Sequence, residues 1–176
     1  MIAIKENCED VRIVTSEHKG RAVIALRGFR IAELVIVGRA VSVLPERTTH
    51  SFQKGWDTHV ELGTPARFMN HSCQPNTGVV DNSQDGYDFV ALQEIQPGDE
   101  LTWDYETTEY VSIAVPRCLC AAENCRTRIH GYRFRCQDES WRPAHLARYL
   151  SAPPAAPPPT PARHPARPAQ QQQGAR

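Results

Sequence analysis

Arg67-Phe68-Met69-Asn70-His71-Ser72-Cys73-Gln74-Pro75-Asn76 is the stretch on which the reading of this chain turns. It sets three amides, an imidazole and a thiol within ten residues. A half-buried strand alternates apolar and polar residues, and an amphipathic helix spaces its apolar positions three and four apart. This stretch does neither, and its Asn, Ser and Pro read as irregular backbone. A loop that carries Asn, His and Cys is a candidate site, because rigid folds hold function on their loops. Two later stretches belong with it: Gly98-Asp99-Glu100-Leu101-Thr102-Trp103-Asp104-Tyr105, and Cys118-Leu119-Cys120 with Cys125.

The chain has 176 residues, enough for one domain and a tail. Its 20 basic and 20 acidic residues cancel, so no global charge argues for nucleic acid and no direct binding to it is expected. The charges are unevenly placed. From Phe68 to Pro116 there is no Lys or Arg, while Asp81, Asp85, Asp88, Glu94, Asp99, Glu100, Asp104, Glu106 and Glu109 all fall there. Such a run reads as a solvated face or as an acidic surface for a cationic substrate. No apolar run approaches the roughly 20 residues of a membrane helix, and no basic-then-apolar signal peptide opens the chain. The expectation is a cytoplasmic protein without a membrane partner, bacterial by its tail, or nuclear if eukaryotic. In such a reducing compartment six cysteines, three of them clustered, point to metal more than to disulfides.

Short β-branched and aliphatic runs fill the first half: 11–15, 21–26, 33–37, 40–44 and 58–62, punctuated by Gly20, Gly28, Gly38 and Pro45. Further strands are expected at 77–80, 87–92 and 100–105. Pro97-Gly98 fits a type II turn that delivers the last of these. A C-terminal helix is expected within 137–151, capped by Ser140, with Trp141, His145, Leu146, Tyr149 and Leu150 on one face and Pro143 in its first turn. From Ala152 to Arg176 the Pro, Ala, Arg and Gln composition cannot bury apolar surface and predicts disorder. The class is mainly β.

Cys118, Cys120 and Cys125 form C-x-C-x4-C on a loop with little to pack. Structural Zn²⁺ takes four ligands in a tetrahedron, mostly thiolates and imidazoles, so a fourth must come from elsewhere. Cys73, Cys136, His130 and His71 are the candidates. Taken alone, Cys8 and Cys136 read as small buried hydrophobes.

In order and spacing, the three stretches resemble the SET-domain protein lysine methyltransferases that carry a C-terminal post-SET zinc loop. Lys19-Gly20-Arg21-Ala22-Val23 also resembles that family's G-x-G strand, with Ala22 in place of the second glycine. The resemblance covers residues 12 to 135. It implies a SET-domain (β-clip) fold of short curved sheets with a pseudoknot, SET domain at 1–116 and post-SET loop at 117–136. It further implies S-adenosylmethionine as methyl donor, a lysine-containing protein or peptide as substrate, and Zn²⁺ on Cys73, Cys118, Cys120 and Cys125. The cofactor site would draw on Gly20, Arg21, Ala22, Arg67, Phe68, Asn70, His71, Tyr105 and Leu119. Tyr105 matches the catalytic tyrosine. Trp103 takes the lysine-channel position where Phe or Tyr is usual, said to govern how many methyl groups are added.

After Cys125 this chain has Arg126-Thr127 where the family tends toward Arg-Gly, and no cysteine-rich pre-SET module precedes residue 12. The expectation is a minimal SET unit whose acidic stretch selects a basic peptide. The competing expectation is a degenerate unit that binds peptide or protein without turnover.

Overall fold

The computed structural model describes residues 9–16 and 19–152. The expectation of a disordered tail therefore lies, beyond Ala152, outside the described residues, as does Cys8. Among the described residues ten short strands carry the fold, in keeping with the mainly β expectation. Strands β1 (Val11–Ser16) and β2 (Gly20–Ala25) form an antiparallel pair in which Val11 faces Ala25 and Ser16 faces Gly20. Strands β3 (Leu34–Gly38), β8 (Thr77–Asp81) and β9 (Tyr87–Ala91) make one sheet in the order β3-β9-β8. A second sheet, in the order β4-β6-β5, joins β4 (Ala40–Leu44), β5 (Phe52–Gly55) and β6 (Thr58–Leu62). The sheets enclose one core in which Val35, Leu62, Tyr87, Phe89 and Leu101 are fully buried.

The fourth sheet positions the site. β7 (Asn70–His71) pairs in parallel with β10 (Thr102–Trp103), setting Asn70 beside Thr102 and His71 beside Trp103. A parallel pair needs a long connection between its strands, and here the connection contains β8 and β9. Asn76 locks the crossing. Its Nδ2 donates to Glu100 O at 2.9 Å, and its Oδ1 accepts from Thr102 N at 2.9 Å.

The strand expected over 100–105 is shared between two partners. Leu101 N donates to Val23 O on β2, whereas Thr102 and Trp103 turn to β7. Asp104 then ends the strand, accepting from Glu106 N to open a 3-10 turn over Tyr105–Thr107. Gly98, at φ +94°, takes the position the type II turn requires of it.

Beyond the cysteine loop the structure differs from expectation. The residues near 140–147 are not helical; the only helical turn there is 3-10, over Arg148–Ser151. Helix needs its backbone donors in-chain, but Ala147 N donates to Thr107 O and Arg148 N to Asp81 Oδ2. Pro143 has no donor at all. The apolar residues still pack, with Leu150 buried and Leu146 and Tyr149 against the core. They do so as a strap instead of a helix face. A four-residue α-helix, α1 (Tyr132–Arg135), lies earlier instead. Cys136 at its end is exposed rather than buried, its Sγ 3.6 Å from Arg133 O.

Candidate active site

A cleft of about 1110 Å³ opens between β2, the 67–71 segment and the cysteine loop. Gly20, Arg21, Arg67, Phe68, Asn70, His71, Trp103, Tyr105, Cys118, Leu119 and Cys120 all line it. Ala22 does not. The residue is 3 % exposed on the face of β2 opposite Val23 and Ala25, the two that enter the main core, so a methyl is accommodated where a second glycine was looked for. Gly20 is the residue that meets the need for freedom, with φ +76° and open space where a Cβ would stand.

The walls are tied together by side chains. Asn70 Nδ2 donates to Arg21 O at 2.9 Å and to Glu100 Oε1 at 2.9 Å, joining the loop to β2. The Phe68 ring lies between two guanidinium groups, Arg21 at 4.3 Å and Arg67 at 5.3 Å from its centroid. Arg67 is also paired with Glu61.

An aromatic stack forms the floor. Trp103, 2 % exposed, stacks on Phe52 at 5.3 Å and lies tilted against Tyr105 at 4.5 Å, with Phe89 edge-on. The Tyr105 hydroxyl donates to Met69 O at 3.0 Å. Burial pushes its phenol well above the ordinary range, with Glu109 and Glu100 adding to the rise, so it stays protonated. Two buried donors on the cleft wall, Trp103 Nε1 and Arg67 Nε, have no hydrogen-bond partner among the described residues.

His71 is neutral. Burial, then the positive charges of Arg126 and Lys19, lower its pKa to about 3. Asp104 Oδ1 lies 3.6 Å from its Nδ1, yet this is no ion pair, because Nδ1 accepts from Tyr105 N at 3.2 Å. The remaining ring proton sits on Nε2 and points at Cys73 Sγ, 3.4 Å away.

Cys73 thereby connects the cleft to the thiol cluster. The sulfurs of Cys73, Cys118, Cys120 and Cys125 all lie within 4.8 Å of one another, and those of Cys73 and Cys118 are 3.8 Å apart. Zinc bound to thiolates at about 2.3 Å in a tetrahedron sets its sulfurs about 3.8 Å apart. The donor set and the spacing fit. Of the four candidates for the fourth ligand, the structure brings Cys73 to the cluster. Backbone N–H groups of Arg126 and Thr127 also point at Cys73 Sγ and Cys125 Sγ, at 3.3 and 3.4 Å.

Several residues escaped the sequence reading. Arg126 reaches from the cysteine loop into the core, with Nη2 2.7 Å from Asp104 Oδ1 and Nε 3.1 Å from Glu106 Oε2, the latter too poorly aligned for a hydrogen bond. Even so, burial pushes Asp104 up to about 6. Glu106, 3 % exposed, also accepts from His130 N and Gly131 N, clamping the far end of the loop. Gln53 is buried and bonded throughout, its Oε1 accepting from Tyr110 N and its Nε2 donating to Gly55 O and Trp56 O. The acidic run is divided. Asp81 pairs with Lys54, Glu100 with Lys19, and Asp104, Glu106 and Glu109 are buried, while Asp85, Glu94 and Asp99 stay exposed. Fewer of its charges are therefore free to meet a basic peptide than the sequence suggests.

This arrangement has relatives. The model of the SET domain matches residues 8–106, more than half of the chain. The chain belongs to the SET domain family. It is 30% identical over 147 residues to histone-lysine N-methyltransferase Set2 of Drosophila melanogaster, covering 72% of this chain and 6% of that protein. Histone-lysine N-methyltransferase met-2 of Caenorhabditis elegans is 39% identical over 77 residues, 39% of this chain and 6% of that one. Among solved structures, one described as "crystal structure of KRYPTONITE in complex with mCHG DNA and SAH" superposes with a TM-score of 0.54 at 26% identity. That likeness covers 68% of this chain and 29% of the other. This SET domain thus spans a small part of each of these much longer proteins.

Proposed function

We propose that this SET domain is a protein-lysine N-methyltransferase that takes its methyl group from S-adenosylmethionine. The observation that carries the reading is the cleft on which Gly20, Asn70, Trp103 and Tyr105 converge from three separate segments. Support for a nucleoside-sized ligand comes from the cleft's volume and the open face of Gly20. Relatives named as histone-lysine methyltransferases support a lysine on a protein as acceptor.

When bound, S-adenosylmethionine supplies an activated methyl group on a sulfonium. The chain's residues have to orient the acceptor and keep it neutral. The rings of Phe52, Trp103 and Tyr105 offer a dry wall to a lysine side chain. A free lysine of pKa near 10.4 is only about 0.1% neutral at pH 7.4, and desolvation lowers that pKa. Positioning a neutral amine in line with the methyl supplies much of the acceleration in such a reaction. The Tyr105 phenol, fixed by its bond to Met69 O, would offer its oxygen lone pairs to the partial positive charge that builds on a transferred methyl. Four thiolates of Cys73, Cys118, Cys120 and Cys125 would hold Zn²⁺, which would pin Leu119 over the cleft.

Calorimetric titration of the zinc-loaded protein with S-adenosylhomocysteine tests the cofactor half of the proposal. Micromolar binding that weakens at least about tenfold in Asn70→Ala is expected. Absence of binding to the wild type refutes it.

A further inference from the structure

A lysine that enters this cleft as an ammonium must lose a proton, and neither Tyr105 nor His71 is placed to accept it. Tyr105 stays a neutral phenol, and His71 has both ring nitrogens engaged, with Tyr105 N and Cys73 Sγ. Glu109 stands on the same cleft wall. It lies one turn beyond Tyr105, its N–H donating to Tyr105 O at 2.9 Å, and it lines the cleft together with Phe52, Trp103 and Tyr105. The residue is 9 % exposed. Its Oε1 is held by Gln53 N at 2.8 Å and Thr108 Oγ1 at 3.3 Å. Its Oε2 accepts no hydrogen bond among the described residues and is not among the sealed-in polar atoms, so it is the oxygen that opens to the cleft.

Resting on the transferase reading above, we propose that Glu109 is a catalytic residue of this SET domain, accepting the ε-ammonium proton of the incoming lysine on Oε2. The proton passes from nitrogen to the carboxylate, leaving a neutral amine and a neutral carboxyl. The amine lone pair then forms the N–CH₃ bond as the S–CH₃ bond breaks and its electron pair returns to sulfur. The product is a methylammonium, and Glu109 releases its proton to solvent through the cleft. Each further methylation of the same nitrogen repeats the exchange.

Burial decides the direction. A carboxylate and an ammonium both lose hydration in such a channel, and one proton transfer removes both charges. The groups facing Glu109 allow it. Arg47 is the cation that acts on it, and the phenols of Tyr87, Tyr105 and Tyr149 around it are all held neutral by burial. Burial lifts the Glu109 carboxyl to about 7, against the backbone bond from Gln53, which suits a proton acceptor at neutral pH.

Glu109→Gln keeps the shape, and its carbonyl still accepts from Gln53 N. On the zinc-loaded protein with a methylated-peptide assay, kcat at pH 7 is expected to fall on the order of 100-fold. S-adenosylhomocysteine affinity should be unchanged, and the variant's kcat should rise with pH well past the wild-type plateau. An active wild type whose Glu109→Gln variant keeps kcat within about threefold and the same pH profile overturns the role of Glu109 alone. A wild type that neither binds cofactor nor transfers methyl overturns the transferase reading and the role with it. Carboxyl-carbon NMR of the free protein gives a readout independent of turnover. A Glu109 resonance titrating near neutrality supports the proposal, and one titrating in the ordinary carboxylate range overturns it.

Discussion

Arg126→Ala should detach the cysteine loop from the SET core without unfolding the core. The guanidinium sits between two buried carboxylates, 2.7 Å from Asp104 and 3.1 Å from Glu106, with its own side chain 17% exposed. Removing one partner of a buried pair costs about 3–5 kcal/mol, because the other charge is left uncompensated. Here the lower end applies. Asp104 already titrates at about 6 with the arginine present, so without it the carboxyl takes up a proton near neutral pH and sheds part of the penalty. Glu106 keeps its bonds from His130 N and Gly131 N. A loss of about 3 kcal/mol concentrated on loop docking corresponds to roughly 100-fold faster exchange. The amides to watch are His130 and Gly131, followed by native-state hydrogen exchange at pH 7. Core amides such as Val23 and Phe89 should change far less. Combining Arg126→Ala with Asp104→Asn should give less than the sum of the two, since the second change removes the buried charge. Protection at His130 and Gly131 that moves by less than about threefold refutes the clamp.

Thr127 sits at φ +61°, where the family resemblance led us to look for glycine. A β-branched residue there carries strain of about 1–2 kcal/mol, partly offset by the entropy glycine loses on folding. Thr127→Gly should therefore raise the melting temperature by a few degrees, and a fall would contradict the strain. The cysteine cluster should hold about one zinc per chain by elemental analysis. Chelation, or Cys120→Ser, should abolish cofactor binding while the β-sheet circular dichroism persists, and activity surviving both would sink the coupling of metal to site. Asp104 and Glu109 are raised by burial from ordinary values of 3.8 and 4.5 to about 6 and about 7. The folded state binds their protons more tightly than the unfolded state, so their contribution favours folding at low pH and is lost as pH rises from about 4 to about 7. Denaturant titrations at pH 5 and pH 8 should show that loss shrinking in Glu109→Gln.

The site was legible because its residues fit neither the alternation of a strand nor the spacing of a helix, although Asn70 and His71 pair with β10 as a two-residue strand instead of the irregular backbone expected. Asn70, His71 and Cys73 stand where a core element has no use for them, and the structure puts each on the cleft or the cluster. Local rules also served where the backbone answers to its own residues, as at Pro97-Gly98. They failed where a distant segment claims the backbone. The 140–150 pattern has the right buried residues, yet Thr107 O and Asp81 take the donors a helix needs. β5 was missed because Gln53 and Lys54 read as surface, whereas the fold buries Gln53 by satisfying its amide from three directions. Charge was the least readable. Asp104, Glu106 and Glu109 look like a solvated run, and only the arrival of Arg126, Gly131 and Gln53 from elsewhere in the chain makes them internal.

Methyl transfer to lysine in the Tyr105 cleft can be read by incubating the zinc-loaded protein with methyl-labelled S-adenosylmethionine and a mixed protein extract, then hydrolysing the product to amino acids. Label in methyllysine is expected with the wild type, with at least about a tenfold loss in Tyr105→Phe, which removes only the hydroxyl bonded to Met69 O. Label on another amino acid, or equal labelling by the variant, would contradict lysine transfer in this cleft.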